Sequence, residues 1–199
     1  MINNRLKDLN VLIAKMEVTD KENNVFEMDE AFRMFKSLLL QVKKDNGIVY
    51  LVANGGSVGI ASHFCTDLVK TLQIPANTLF DSNILTCLAN DFGYEKCYSY
   101  ILNILLREQD LLVGISSSGN SKNIINAVEI AHQKQAKIVT LSGFSQYNNL
   151  RKMGDLNFWL DKIDYGLVEM GHFFILHTMI DLFPKIKVKK TEFIVVENV

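Results

Sequence analysis

From residue 47 onward, short β-rich apolar runs alternate with helical stretches, and two of the strand-to-helix junctions consist of glycine, serine and asparagine. Runs of four to eight β-branched and apolar residues bounded by turn residues read as strands, and apolar residues three and four apart read as helices. The pattern predicts strands at 47–53, 77–81, 110–116, 136–142 and 155–160. Helices are predicted at 57–72, across 83–108, and at 121–133 and 165–183. Such alternation implies a parallel sheet covered by helices on both faces. The expected class is α/β, a doubly wound parallel sheet flanked by helices in a flavodoxin- or Rossmann-like three-layer sandwich. Two amphipathic helices precede it, one through Leu6, Leu9, Ile13 and Met16, the other through Ala31, Phe32, Phe35, Leu38, Leu39 and Val42. With 199 residues, 48% of them hydrophobic, one core is affordable without disulfide or metal staples. The chain reads as a single domain at 1–199: N-terminal helices at 1–45, an α/β core at 47–183 and a tail at 184–199.

Charge and cysteine usage narrow the function classes. A formal net charge of −1 gives no reason to expect a nucleic-acid partner, and the short cationic run at 185–190 is interrupted by Ile186 and Val188. Three cysteines, Cys65, Cys87 and Cys97, lack metal-finger spacing and fit a reduced compartment. With no apolar leader after Met1, the expected location is the cytoplasm. The last helix is apolar nearly all round, which predicts burial against the sheet or between subunits. Glu169, His172, His177 and Asp181 within it argue against a membrane span. The segment 193–196 has strand character.

The two junctions suggest an anion site. Ile-Ser-Ser-Ser-Gly-Asn-Ser at 115–121 ends one strand and opens a helix, and Ala-Asn-Gly-Gly-Ser at 53–57 does the same for another. The first turn of a helix has unpaired N–H donors and the positive end of the dipole, and serine hydroxyls add donors without bulk. Serine and glycine also serve as ordinary caps and turns, so either junction alone has two readings. Two of them at carboxyl ends of parallel strands can converge on one pocket. Neither has the G-x-G-x-x-G spacing or the phosphate-loop lysine, so a dinucleotide or ATP fold is not expected. His63 and Asp67, four apart, share a helix face, and Glu169 and His177, eight apart, return to nearly one face. Each pair is either a satisfied hydrogen-bonding pair or part of a site. His172 points about 140° away from His177 and reads as packing, and His132 reads as solvent-facing.

Asn54-Gly55-Gly56-Ser57, His63-Phe64, the stretch Leu-Thr-Cys-Leu-Ala-Asn-Asp-Phe-Gly at 85–93 and the serines of 116–121 occur in one order. Together they resemble the sugar isomerase (SIS) domain, in its phosphoheptose isomerase branch, over roughly residues 30–183. The resemblance implies a homotetramer with sites between subunits, and a zinc site at His63, Asp67, Glu169 and His177. It also implies acid–base roles for Asp67 and His177. Ser57, Ser116, Ser117, Ser118 and Ser121, with Gly55 and Gly56, would hold a phosphate. Asn54, Asn90, Asp91 and Glu169 would contact the sugar. Two positions depart from the family pattern: Asp67 stands where it has Glu, and Glu169 where it has Gln.

The activity implied is aldose–ketose isomerisation of sedoheptulose 7-phosphate to D-glycero-D-manno-heptose 7-phosphate, a precursor for lipopolysaccharide or capsule. The alternative is a non-catalytic SIS-domain regulator that binds a sugar phosphate, or a scaffold for a replication initiator; the shortened Asp67 keeps it open.

Overall fold

The computed structural model describes residues 2–184, so the cationic run at 185–190 and the strand-like segment 193–196 lie outside the described residues. Its centre is one seven-stranded sheet in the order β2-β1-β7-β6-β5-β3-β4. The strands are β1 (Glu17–Thr19), β2 (Val25–Phe26), β3 (Val49–Val52), β4 (Ala76–Asn77), β5 (Leu111–Ser116), β6 (Lys137–Gly143) and β7 (Leu156–Leu160). From β7 to β4 neighbours run parallel, whereas β1 pairs antiparallel with both β7 and β2. The four longest parallel strands, β3, β5, β6 and β7, are buried along nearly their whole length, as expected of strands covered on both faces.

The helices divide between the faces. Helices α1 (Ile2–Ala14), α2 (Met28–Lys44), α3 (Gly56–Asp67) and α7 (Tyr165–Asp181) cover one face, where Phe35, Leu39, Phe64, Ile175 and Met179 meet Leu51, Val113, Leu141 and Phe158. Helices α5 (Cys97–Leu105) and α6 (Lys122–Gln133) cover the other through Tyr98, Leu102, Ile124 and Val128 against Val52, Leu112 and Ile138. Helix α4 (Ser82–Phe92) leads into α5 through a 3-10 turn at Tyr94–Lys96. Each fully buried leucine or isoleucine in these layers contributes about 1.5–3 kcal/mol of burial free energy. This is the three-layer α/β sandwich expected of the sequence.

Three details depart from the pattern. The short β1 and β2 were not anticipated; they extend the sheet past β7 in a region expected to hold only helices. The strand expected at 77–81 stops at Asn77, whose side-chain oxygen accepts the Leu79 N–H in a local turn, with Leu79 at φ +52°. The helices expected across 83–108 are present and are separated at Gly93, φ +86°. The helix expected to run to residue 72 is α-helical only to Asp67; Leu68–Leu72 widen into a π-turn, an arrangement often found where a helix serves a site.

Among the described residues no helix is long and apolar enough to cross a membrane. The three cysteines are free thiols. Burial pushes the Cys65 thiol up, which suits a spectator better than a nucleophile.

Candidate active site

The sheet order decides where a ligand fits. Leaving β3, the chain moves to one side to form β4, and β5 then returns to the other side of β3, so the strand order reverses between β3 and β5. At such a switch point the loops after two neighbouring strands diverge and leave a crevice at their carboxyl ends. Here Val52 of β3 lies opposite Gly114 of β5, and the Asn54-Gly55-Gly56 and Ser116-Ser117-Ser118 turns emerge side by side. They enclose a cavity of about 230 Å3 lined by Asn54, Gly55, Gly56, Ser57, Ser116, Ser117, Ser118 and Ser121, with Ile115, Tyr165 and Glu169. Helices α3 and α6 both start at this crevice.

The backbone there needs its glycines. Gly55, which caps α3, has φ +54° and ψ −130°, a combination a side chain does not tolerate. Gly119 has φ +66°, and a Cβ on it would lie 1.9 Å from the Asn148 side-chain oxygen. The hydroxyls form a linked set: Ser116 Oγ is 3.0 Å from Ser121 Oγ and 3.4 Å from Ser118 Oγ. Ser117 Oγ is buried and has no hydrogen-bond partner. A buried hydroxyl without a partner costs about 1–3 kcal/mol, a penalty an acceptor-rich ligand such as a phosphate would remove. Among the described residues no lysine, arginine or histidine lines the cavity, and their attraction for an anion comes from hydroxyls, backbone N–H groups and two helix N-termini.

A second group lies on α3 and α7, both of which also line the cavity, through Ser57 and through Glu169. His63, Asp67 and His177 each offer one ligand atom, all within 4.8 Å of one another. Asp67 Oδ2 is 3.1 Å from His63 Nε2 and 3.6 Å from His177 Nδ1, yet it is buried and hydrogen-bonded to neither. Ligands about 2.1 Å from a tetrahedral zinc stand about 3.4 Å apart, which these two separations bracket. The trio thus fits a divalent cation, which would satisfy the carboxylate oxygen that neither imidazole does. The Phe173 ring packs on both imidazoles and limits their rotation.

Glu169 is not in this group. Eight residues of helix bring a side chain back to one face but displace it by about 12 Å along the axis, and its carboxylate instead stands against Gly56, where a Cβ would meet Oε2 at 2.7 Å. Glu169 therefore lines the serine cavity, and three of the four residues expected around a metal cluster closely. Asn90 and Asp91 are exposed on α4 and do not line the cavity; Asn90 Nδ2 donates to Asp91 Oδ1. His172 is fully buried, with its ring Nε2 3.1 Å from Ser142 O, and desolvation holds its pKa down to about 4. The neutral ring thus donates from Nε2 in a packing role, as expected, and His132 is exposed.

Tyr165, one turn before Glu169 on α7, and Ile115 also line the cavity and were not expected from the sequence. The i, i+4 spacing of Tyr165 from Glu169 was the signal for the former.

This combination of switch-point serines with a histidine–carboxylate group on the flanking helices has known counterparts. The SIS domain family matches residues 17–143. The phosphoheptose isomerase of Photorhabdus laumondii is 35% identical over 80% of this chain and 86% of its own. That of Helicobacter pylori is 28% identical over 91% and 95%. Among solved structures, the phosphoheptose isomerase from Neisseria gonorrhoeae superposes with a TM-score of 0.78 at 26% identity, covering 90% of this chain and 93% of its own. The chain belongs to the SIS domain family, in its phosphoheptose isomerase branch.

Proposed function

We propose that this chain is an aldose–ketose isomerase that interconverts sedoheptulose 7-phosphate and D-glycero-D-manno-heptose 7-phosphate. The observation that carries this reading is that α3 and α7, which bear the His63–Asp67–His177 trio, also line the serine cavity through Ser57 and Glu169. Ser57 and His63 are six residues apart on α3, about 9 Å of helical rise. A seven-carbon chain with bonds of about 1.5 Å zig-zags over roughly 8 Å, so its phosphate end and its carbonyl end can engage the two regions together. Relatives named phosphoheptose isomerase, matching over most of both chains, support the same reading.

The chemistry assigned to the residues follows from their types. Ser57, Ser116, Ser117, Ser118 and Ser121 hold the phosphate, and Glu169, an acceptor, takes a hydrogen bond from a sugar hydroxyl. Asp67 removes the proton from the carbon next to the carbonyl; the C–H electron pair becomes the carbon–carbon double bond of an enediol, and the carbonyl oxygen takes up a proton. His177 carries protons between the two sugar oxygens, and Asp67 returns its proton to the neighbouring carbon. Oδ2 of Asp67 lies within the trio, which leaves Oδ1 for the proton. Zinc held by His63, Asp67 and His177 would supply Lewis-acid polarisation of the carbonyl when bound. Assembly into a homotetramer belongs to the same proposal: Asn90 and Asp91, exposed and outside their own chain's cavity, then serve a neighbour's.

Asp67→Asn tests the assignment. The expected result is turnover reduced at least 100-fold, as loss of general acid–base catalysis implies, with sugar-phosphate binding kept. Near-normal turnover would show that Asp67 is not the base.

A further inference from the structure

The Asn54 side chain, placed on the cavity wall, has most of its hydrogen-bonding capacity committed elsewhere. Its Nδ2 donates to Asn123 Oδ1 at 2.9 Å, and Asn123 Nδ2 donates back to Asn54 Oδ1 at 2.8 Å. The Tyr94 hydroxyl donates to the same Asn54 Oδ1 at 2.7 Å. An amide has two N–H donors and an oxygen with two lone pairs, so this oxygen is saturated and one N–H remains.

The network also fixes which way the amide faces. The Ile124 backbone N–H lies 3.1 Å from Asn123 Oδ1 and can only donate, which identifies that atom as the oxygen. The reciprocal pair then forces Asn54 to present Nδ2 to Asn123 Oδ1, and the Tyr94 hydroxyl must donate. Asn123 is buried, and neither it nor Tyr94 lines the cavity. Two further bonds brace the same parts: Tyr98 Oη donates to Ala53 O at 2.7 Å, and Asn126 Nδ2 to Glu95 O at 2.8 Å. The loop after β3, the first turns of α6 and the Tyr94–Lys96 turn are thereby joined by hydrogen bonds from side chains.

We propose that Asn123 and Tyr94 are positioning residues for the sugar-phosphate site: they hold the Asn54 amide in one orientation, so that its single free N–H serves as a fixed donor to the bound ligand. Asn54 is then one oriented donor, and its carbonyl oxygen is closed to sugar hydroxyls. The proposal rests on the sugar-phosphate reading of the cavity.

Tyr94→Phe is the variant of choice, because Tyr94 is half-exposed and its ring is kept. The first readout is calorimetric affinity for sedoheptulose 7-phosphate. The expected result is a roughly five- to tenfold loss, that of about one hydrogen bond, at an unchanged melting temperature, and no further loss when Tyr94→Phe is added to Asn54→Ala. Unchanged affinity, or the same loss in the Asn54→Ala background, would overturn the proposal. The second readout needs no ligand: the Asn54 side-chain amide protons, followed by NMR, are expected to exchange with solvent faster in Tyr94→Phe and in Asn123→Ala than in the parent. Unchanged exchange would also overturn it. Failure of the parent to bind any sugar phosphate, with the amide still protected, would count against the sugar-phosphate reading and with it the donor role, while the orientation network would stand.

Discussion

The serine cavity and the histidine–aspartate trio share α3 and α7 among their walls but are held in different ways. The cavity is made by backbone: two loops at a topological switch point, two glycines at positive φ, and hydroxyls linked to one another. Its shape is dictated by the sheet and by helix starts. The trio is made by side chains from two helices, with the His63 and His177 side chains 47% and 48% exposed, and its central oxygen is bonded to neither imidazole. The cavity is thus preorganised for an anion, while the trio has the spacing of a cation site and lacks the bonds that would make it a self-sufficient ion pair. On the proposed function, a rigid phosphate anchor at one end and a metal-responsive acid–base group at the other would divide the labour of moving a proton at the far end of a long sugar.

Gly119→Ala should separate the two regions most sharply. The new Cβ would meet the Asn148 side chain, whose amide is already bonded to Gly143 O and Ser145 O, at a φ that disfavours any side chain. Displacing the serine loop removes several bonds to a charged group at about 1.5–3 kcal/mol each, so sugar-phosphate affinity should fall 100-fold or more. Zinc uptake, measured on the same sample by atomic absorption, should persist if the trio is independent of the cavity.

Gly56→Ala is the next step down. Its Cβ would displace only the end of the Glu169 side chain, so folding should be unaffected. A shift of about 1 Å in a substrate-contacting group can cost up to about 100-fold in rate, and kcat/KM is expected to fall by tenfold or more with zinc affinity unchanged. A parallel loss of zinc affinity would place Glu169 among the metal ligands after all.

A separate effect, on stability and on neither site directly, concerns α7, which serves both regions. His172 anchors it to β6, and its pKa in the fold, about 4, lies below the ordinary value of 6.5. The unfolded chain binds the extra proton first, so stability is complete above pH 6.5 and is lost as pH falls towards 4, by up to about 3 kcal/mol. Urea unfolding of the parent and of His172→Phe between pH 7 and 4 is expected to show this slope in the parent and a shallower one in the variant.

Much of this was legible in the sequence for identifiable reasons. Parallel strands buried on both faces appear as unbroken apolar runs, and positive-φ turns at strand ends require glycine, so the α/β layers and both junctions could be read directly. Strands β1 and β2, three and two residues long, are too short to carry a period. Residue spacing along a helix reports angle and not axial rise, so the separation of Glu169 from His177 along α7 was not legible. Tyr94 and Asn123 have no motif at all: they meet Asn54 across 40 and 69 residues, a proximity created only by the fold.

The most direct test of the central claim is conversion of sedoheptulose 7-phosphate by the zinc-replete protein in deuterium oxide, followed by NMR beside a chelated sample. The account predicts an aldoheptose 7-phosphate carrying solvent deuterium at C2, with the rate sharply reduced on chelation. A folded protein that binds the sugar phosphate but forms no aldose, with or without zinc, would contradict it.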